Sequence, residues 1–96
     1  MLINAVIYTV PEDKADQAEA FLRELAVASR AEEGCLGYEV ARGNAPDRGT
    51  FVLFEKWTDQ AALDAHMQHE HFQRLGVNGF RPLATSRQAI KGSLVE

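Results

Sequence analysis

The segment Phe51–Phe72 constrains the fold more than any other part of the chain, because its hydrophobic period changes from two residues to that of a helix. One face of its first part carries four alternating side chains: Phe51, Leu53, Glu55 and Trp57. This alternation predicts a β-strand. Thr58 and Asp59 then supply a helix N-cap, and helix-forming residues follow in Gln60–Gln68. The segment therefore predicts a strand, a turn and a helix, with a carboxylate beside a tryptophan on one strand face.

The rest of the chain predicts three more strands and one long helix. The strands are predicted over Leu2–Val10, Cys35–Arg42 and, more weakly, Leu83–Val95. Between the first two, apolar residues recur at helical spacing up to about Arg30. The order strand, helix, strand, strand, helix, strand is that of the ferredoxin-like split βαβ fold. We therefore expect an α+β protein with a four-stranded antiparallel sheet and helices on one face, forming a single domain over residues 1–96.

The second face of this sheet has no cover within the chain. Both faces of the predicted strands carry large apolar groups, so a second copy or a ligand must cover the open one. A homodimer that packs sheet against sheet is the simplest arrangement. We therefore predict a homodimer, with a larger assembly as the open alternative.

Composition excludes several classes of function. The net charge of −4 disfavours nucleic-acid binding, which needs a basic surface. No apolar run approaches the ~20 residues of a membrane span, so no membrane partner is expected. The N-terminus lacks the basic region of a signal peptide, and the single Cys35 allows no disulfide within the chain. A cytoplasmic protein is the expectation.

All three histidines lie close together in the run HMQHEHF. His66 follows Ala62 and Leu63 by one helical turn, which places it on the apolar stripe of the second helix. In an unbroken helix the three histidines could share one face and resemble a metal site. However, the HExxH motif is absent, and no second cluster of Cys or His completes four ligands. We therefore predict no metal site.

Two segments together resemble the antibiotic biosynthesis monooxygenase superfamily, whose small bacterial members include quinol monooxygenases. They are EEGCLGYEVARG and FVLFEKWTDQAALDAHMQHEHF, and the resemblance extends over nearly the whole chain. It implies a dimeric ferredoxin-like fold, also described as a dimeric α+β barrel. It further implies a pocket between the sheet and the helices of each subunit.

The superfamily includes several activities. Some members oxygenate electron-rich phenols or quinols without a metal or flavin, some cleave haem, and one branch isomerises a phosphorylated autoinducer. The haem-cleaving branch has an axial histidine at the position of Gly76, so its activity is not expected here. The isomerase branch keeps a histidine at the position of His66, which therefore does not separate isomerases from quinol-oxidising members.

Cofactor-free oxygenation requires a base, a dry pocket and donors for an anion. His66 on the apolar helix face suits the base, with Glu55 as its acidic partner or a second base. We expect an aromatic wall from Trp57 and a hydrogen bond from Asn4. The other substrate-binding candidates are Tyr38, His71 and Phe72, and His71 is the substitute base. The expected partners are a small aromatic substrate, a quinol or polycyclic phenol, and O2, with no cofactor.

Two other functions remain open at this stage. The same His66 and Glu55 pair could move a proton between carbons in an isomerase acting on a small carbonyl compound. Alternatively, the chain is a ligand-binding or stress-response dimer without turnover, in which His66 is a hydrogen-bonded core histidine.

Overall fold

The structure is a computed structural model that describes residues 1–96. It contains four strands, β1 (Leu2–Thr9), β2 (Cys35–Arg42), β3 (Thr50–Trp57) and β4 (Ser86–Gly92), and two α-helices, α1 (Ala15–Arg30) and α2 (Gln60–Gln68). A π-helix, Phe72–Phe80, follows α2, and short 3-10 helices lie at Glu12–Lys14 and Arg81–Leu83. The element order agrees with the predicted one.

The four strands form one antiparallel sheet in the order β2-β3-β1-β4. The helices cover one face of it, so the predicted ferredoxin-like α+β fold is confirmed. Helix α1 packs on β2 and on the π-helix, and α2 packs on the π-helix and the end of β3. The hydrophobic core lies between this helical layer and the sheet, around Val6, Leu22, Leu53, Trp57 and Leu75.

The register aligns side chains in rows across the sheet. One row joins Tyr38 of β2, Glu55 of β3, Asn4 of β1 and Lys91 of β4. The row two residues further along joins Val40, Leu53, Val6 and Ala89. Because side chains alternate between faces, both rows point toward the helices. The inward face of the sheet therefore carries a polar row beside an apolar one.

A β-bulge at the start of β2 changes one prediction. The alternation of β2 predicts that Leu36 shares the inward face with Tyr38. The register shifts between Cys35 and Gly37, and Leu36 is exposed while Tyr38 is buried. A bulge inserts one extra residue into a strand and reverses the face on which the residues before it point. Of Leu36 and Tyr38, only Tyr38 therefore points into the interior.

The segment after α2 also differs from the prediction. Gly76 and Gly79 are expected to break the helix, but the π-helix Phe72–Phe80 runs through both. Its wider turn is closed by the Arg81 amide, which donates to the Gly76 carbonyl five residues earlier. A Cβ on Gly79 would lie 2.7 Å from the Phe21 ring of α1. The glycine therefore allows the close approach of the π-helix to α1.

Apolar side chains remain exposed on the outer face of the sheet. Ile7 is 43% exposed, Val52 38% and Ile90 69%. These residues alternate with the inward-facing ones and form the uncovered surface on which the dimer prediction depends. The homodimer stays a prediction, which sedimentation equilibrium of the protein would test. None of the helices has the length and apolar character needed to span a membrane.

Candidate active site

A cavity of about 130 Å³ lies between the inward face of the sheet and the helices. Most of its wall is apolar, with Leu22, Leu63, Met67 and Phe80 among the lining residues. Its polar side chains include three from one row of the sheet, Asn4, Tyr38 and Glu55, and His66 from α2. Apolar walls with a few convergent polar groups are typical of small-molecule sites. The fold thus brings to one cavity five of the residues that the sequence nominates as catalytic or substrate-binding: Asn4, Tyr38, Glu55, His66 and Phe72.

His66 is held in one orientation by a carboxylate that the sequence analysis did not select. Its Nδ1 lies 2.7 Å from Oε2 of Glu32, and the His66 residue is only 1% exposed. An ionised carboxylate can only accept hydrogen bonds, so Nδ1 must donate and carries the ring proton of the neutral imidazole. Nε2 has no hydrogen-bond partner in the chain, and it is therefore the nitrogen available to the cavity that His66 lines.

Glu32 reaches this position because the chain turns back just after α1. Its Oε2 also lies 2.6 Å from Nε2 of His71, and its Oε1 lies 3.6 Å from Nε2 of His69. Helix α2 ends at Gln68, and His69 is extended, so His71 starts a new turn and points to Glu32. The three histidines do not share a helix face. They converge on a single carboxylate.

One signal in the sequence could have identified Glu32. Glu32 and Glu33 stand directly after the C-terminus of α1, where the helix dipole disfavours negative charge. The sequence Glu32-Glu33-Gly34 by itself predicts a helix stop with a C-terminal glycine. However, Gly34 does not adopt a positive φ. Its missing side chain leaves space for α2, because a Cβ there would lie 2.3 Å from the Cβ of Ala62.

Glu55 has partners different from those that the sequence predicts. Its Oε1 accepts from Nε1 of Trp57 at 3.1 Å and from Nδ2 of Asn4 at 3.3 Å. The expected pairing of Glu55 with His66 is therefore replaced by the Glu32–His66 pair. The Asn4 side chain donates its hydrogen bond to Glu55, whereas the sequence analysis expects it to donate to the substrate. Glu55 is the acidic residue on the cavity wall, and its Oε2 is left without a hydrogen-bond partner in the chain.

Trp57 and His71 lie behind the wall rather than on it. Trp57 is fully buried, and its ring centre lies 4.6 Å from that of His66. It supports His66 and Glu55 but does not line the cavity, which corrects the expected aromatic wall. His71 also lies outside the lining, with its Nε2 on Glu32. Phe72 does line the cavity, with its ring centre 5.0 Å from that of His66.

Burial favours the neutral form of three titratable groups in the cavity, His66, Glu55 and Tyr38. It lowers the pKa of His66, although the hydrogen bond and charge of Glu32 oppose the shift. It raises the pKa of Glu55, and the hydrogen bonds from Trp57 and Asn4 offset part of that change. The pKa of Tyr38 lies well above its usual value, mainly because of burial. The site therefore offers a neutral imidazole as base and a phenol as hydrogen-bond donor.

Comparison with known proteins identifies the family. Residues 1–76 match the sequence profile described as "Antibiotic biosynthesis monooxygenase". The chain belongs to the antibiotic biosynthesis monooxygenase family. It is 35% identical over 99 residues to a protein of Bacillus subtilis (strain 168) named "Putative monooxygenase YcnE", with all of this chain and 99% of that protein covered. The resemblance stated from the sequence is confirmed.

Solved structures share this fold over the whole length of the chain or nearly so. A crystal structure described as an antibiotic biosynthesis monooxygenase superimposes with a TM-score of 0.90 at 31% identity and covers all of both chains. PA3566 from Pseudomonas aeruginosa gives a TM-score of 0.88 at 32% identity over 99% of this chain and 94% of its own. Membership of the family supports a monooxygenase-like role for this chain.

The position that the haem-cleaving branch uses for its axial ligand lies on the cavity wall of this family member. That position is Gly76, which is buried and lines the cavity without a side chain. A glycine offers no imidazole to an iron atom. The residues present do not fit a haem held in that way.

The Glu32 cluster has a donor set that a transition metal accepts. Glu32 Oε2, His66 Nδ1 and His71 Nε2 lie within 4.8 Å of one another. Imidazole nitrogens with a carboxylate are typical zinc ligands. The sequence alone shows no second cluster of Cys or His, and the fold brings the Glu32 carboxylate to the histidines. In the structure both rings are hydrogen-bonded to Oε2, so a metal would replace those two bonds. The prediction of no metal stays a prediction.

Replacing Glu55 with glutamine should stabilise the fold increasingly as the pH rises. The folded protein raises the pKa of Glu55 above its ordinary value of 4.5, so the carboxylate form is the disfavoured one. Wild-type stability is then fullest below that value and declines as pH rises through the folded-state pKa. Glutamine keeps an acceptor for Trp57 and Asn4 but carries no charge. Denaturant unfolding at a series of pH values from the ordinary pKa of 4.5 upward measures the difference.

A stability difference between Glu55→Gln and wild type that stays constant over this pH range would contradict the prediction. Glu39→Gln is the matched control, because Glu39 is exposed on the same sheet. Its stability should follow the wild-type pH dependence.

Proposed function

We propose that this protein oxidises a hydroquinone or related phenol with O2, without a metal or flavin. The observation that carries the proposal is His66: a buried, neutral imidazole whose Nδ1 is fixed by Glu32 and whose Nε2 is free beside an apolar cavity. An oriented base in a dry pocket is what this chemistry requires of the protein. The substrate itself supplies the electrons.

The reaction begins when Nε2 of His66 removes a phenolic proton. The imidazolium that forms is stabilised by the carboxylate of Glu32, as a buried acid stabilises the imidazolium of a catalytic triad. The phenolate transfers one electron to O2, and the resulting radical pair forms a C–O bond at a ring carbon. The peroxide takes the proton back from His66 to give a hydroperoxide. Its O–O bond then breaks as the ring carbon that bears it loses its hydrogen as a proton, so that a carbonyl forms and hydroxide and this proton leave as water. A hydroquinone and O2 thereby give a hydroxyquinone and H2O, which balances both atoms and electrons.

Tyr38 and Glu55, which lie in the polar row of the sheet, supply a hydrogen-bond donor and a carboxyl group to these steps. The hydroxyl of Tyr38 makes no hydrogen bond within the chain, and its high pKa keeps its proton in place. It can therefore donate to an oxyanion on the substrate. Glu55 is held by Asn4 and Trp57, and its Oε2 is a further carboxyl oxygen on the cavity wall that can exchange a proton with the substrate.

The cavity volume limits how much of the substrate is enclosed. About 130 Å³ is close to the volume of an apolar cavity that binds a single benzene ring. One aromatic ring therefore fits inside the wall formed by Leu22, Leu63 and Phe80. A second fused ring of a polycyclic phenol would extend toward the open side of the cavity.

Oxygen uptake tests the proposal directly. The purified, metal-stripped protein is mixed with a panel of hydroquinones and naphthalenols, and uptake is compared with a blank without protein. Uptake above the blank that saturates with substrate is expected. No uptake with any member of the panel would contradict the oxygenase. Proton exchange at a carbon next to a carbonyl, without uptake, would favour the isomerase, and binding without either would favour a ligand-binding dimer.

A further inference from the structure

Strand β4 leaves one side of the cavity open. It pairs with β1 at the edge of the sheet, and every one of its residues is exposed. Its close contacts are with β1, while α1 and α2 pack on the other strands and on the π-helix. Lys91 lies opposite Asn4, and Arg87 lies opposite Tyr8. Both therefore share the inward face with the cavity and stand at its open side.

Three cations line this opening: Arg81, Arg87 and Lys91. None of them forms a salt bridge, whereas Arg23, Arg42, Arg48 and Arg74 all pair with carboxylates. The chain as a whole has a net charge of −4. Three unpaired cations around one opening in an acidic protein form a local positive potential that attracts an anion.

Two of these cations are already held in position. Nε of Arg87 donates to the Tyr8 hydroxyl at 3.2 Å, and its guanidinium lies 5.9 Å from the centre of that ring. The guanidinium of Arg81 lies 5.4 Å from the centre of the Phe72 ring. Both aromatic rings belong to the cavity wall. Because these contacts order the long side chains beforehand, less conformational entropy is lost when an anion binds.

We propose that the open side of the cavity is a subsite for a carboxylate on the aromatic substrate, bound by Arg87 and Lys91 with Arg81 beside them. This inference rests on the proposed function, in which the phenolic hydroxyl at the other end of the substrate meets His66. Glu55 on β3 and Lys91 on β4 are separated by β1, and two strand spacings place them about 10 Å apart. The substrate class is therefore a hydroxyarene carboxylate, with its hydroxyl inside and its carboxylate at the opening.

Anaerobic titration calorimetry tests the subsite without turnover. The probes are a hydroxynaphthoate, its methyl ester and the parent naphthol, which share the aromatic part and differ in charge. The wild-type protein should bind the carboxylate at least about tenfold more tightly than the ester, as expected for charge-assisted hydrogen bonds. The preference should fall as salt is added, because the opening is exposed to solvent.

The double variant Arg87→Gln, Lys91→Gln should lose this preference and keep the affinity for the ester. Lys56→Gln is the matched control, since Lys56 pairs with Ile3 and lies on the outer face of the sheet. It should leave the preference unchanged. Equal binding of acid and ester by the wild-type protein, or an unchanged preference in the double variant, would overturn the subsite.

The two proposals fail separately in this design. A carboxylate preference in calorimetry with no oxygen uptake would retain the subsite and reject the oxygenase. Oxygen uptake that is equally efficient with acid and ester, together with equal binding, would retain the oxygenase and reject the subsite.

Discussion

Replacement of His66 by alanine or glutamine lowers kcat/KM for the accepted hydroquinone by at least about 100-fold, the low end of the range for general base catalysis. The reason is geometric, because His66 is the imidazole that lines the cavity and has its Nδ1 on Glu32. Glutamine retains an amide donor for Glu32 but cannot accept a proton. The measurement is the initial rate of oxygen uptake at several substrate concentrations.

His71→Gln and His69→Gln are the controls for this prediction. His71 contacts the same oxygen of Glu32 but lies outside the cavity lining, and His69 is largely exposed. Each should lose less than about tenfold, since neither is placed to take the phenolic proton. A folded His66→Gln protein within about threefold of wild type, or a larger loss in His71→Gln, would reject His66 as the base and favour His71.

Replacement of Glu32 by glutamine lowers kcat by about 10- to 100-fold, the range found when the hydrogen-bond partner that orients a metal-bound histidine is removed. Glutamine removes the negative charge that stabilises the imidazolium of His66, and it accepts poorly from two rings at once. Glu32 does not line the cavity, so substrate binding should change little. The expected pattern is a lower kcat at nearly constant KM, measured by oxygen uptake.

Glu33→Gln is the matched control, because Glu33 is the neighbouring residue with an exposed side chain. It removes the same charge from the same turn without touching a histidine and should leave kcat unchanged. An equal loss in both variants would show that only the overall charge matters. A rise in KM at constant kcat would place Glu32 in substrate binding. Ring nitrogen chemical shifts of His66 would report directly whether its proton stays on Nδ1.

The fold could be predicted from local patterns because each element has its own periodicity. The alternation in Leu2–Thr9 and Thr50–Trp57 and the apolar stripe of α1 are properties of adjacent residues, and their order leaves few topologies. The inward placement of Glu55 and Tyr38 follows from the same alternation. The position of His66 on the apolar face of α2 is also local.

The sequence alone determined the family fold, the strand faces except at the bulge in β2, and a set of residues that includes the cavity groups Asn4, Tyr38, Glu55, His66 and Phe72. The tertiary structure decided which of them touch. It paired His66 with Glu32, 34 residues away, and left Glu55 to Asn4 and Trp57. It also placed Arg87 and Lys91 at the open side of the cavity. Such contacts depend on where the turn after α1, the extended residue His69 and the edge strand β4 come to lie in space. Periodicity fixes the face on which a side chain points, but the partner across that face is set by the packing of elements that are distant in the chain.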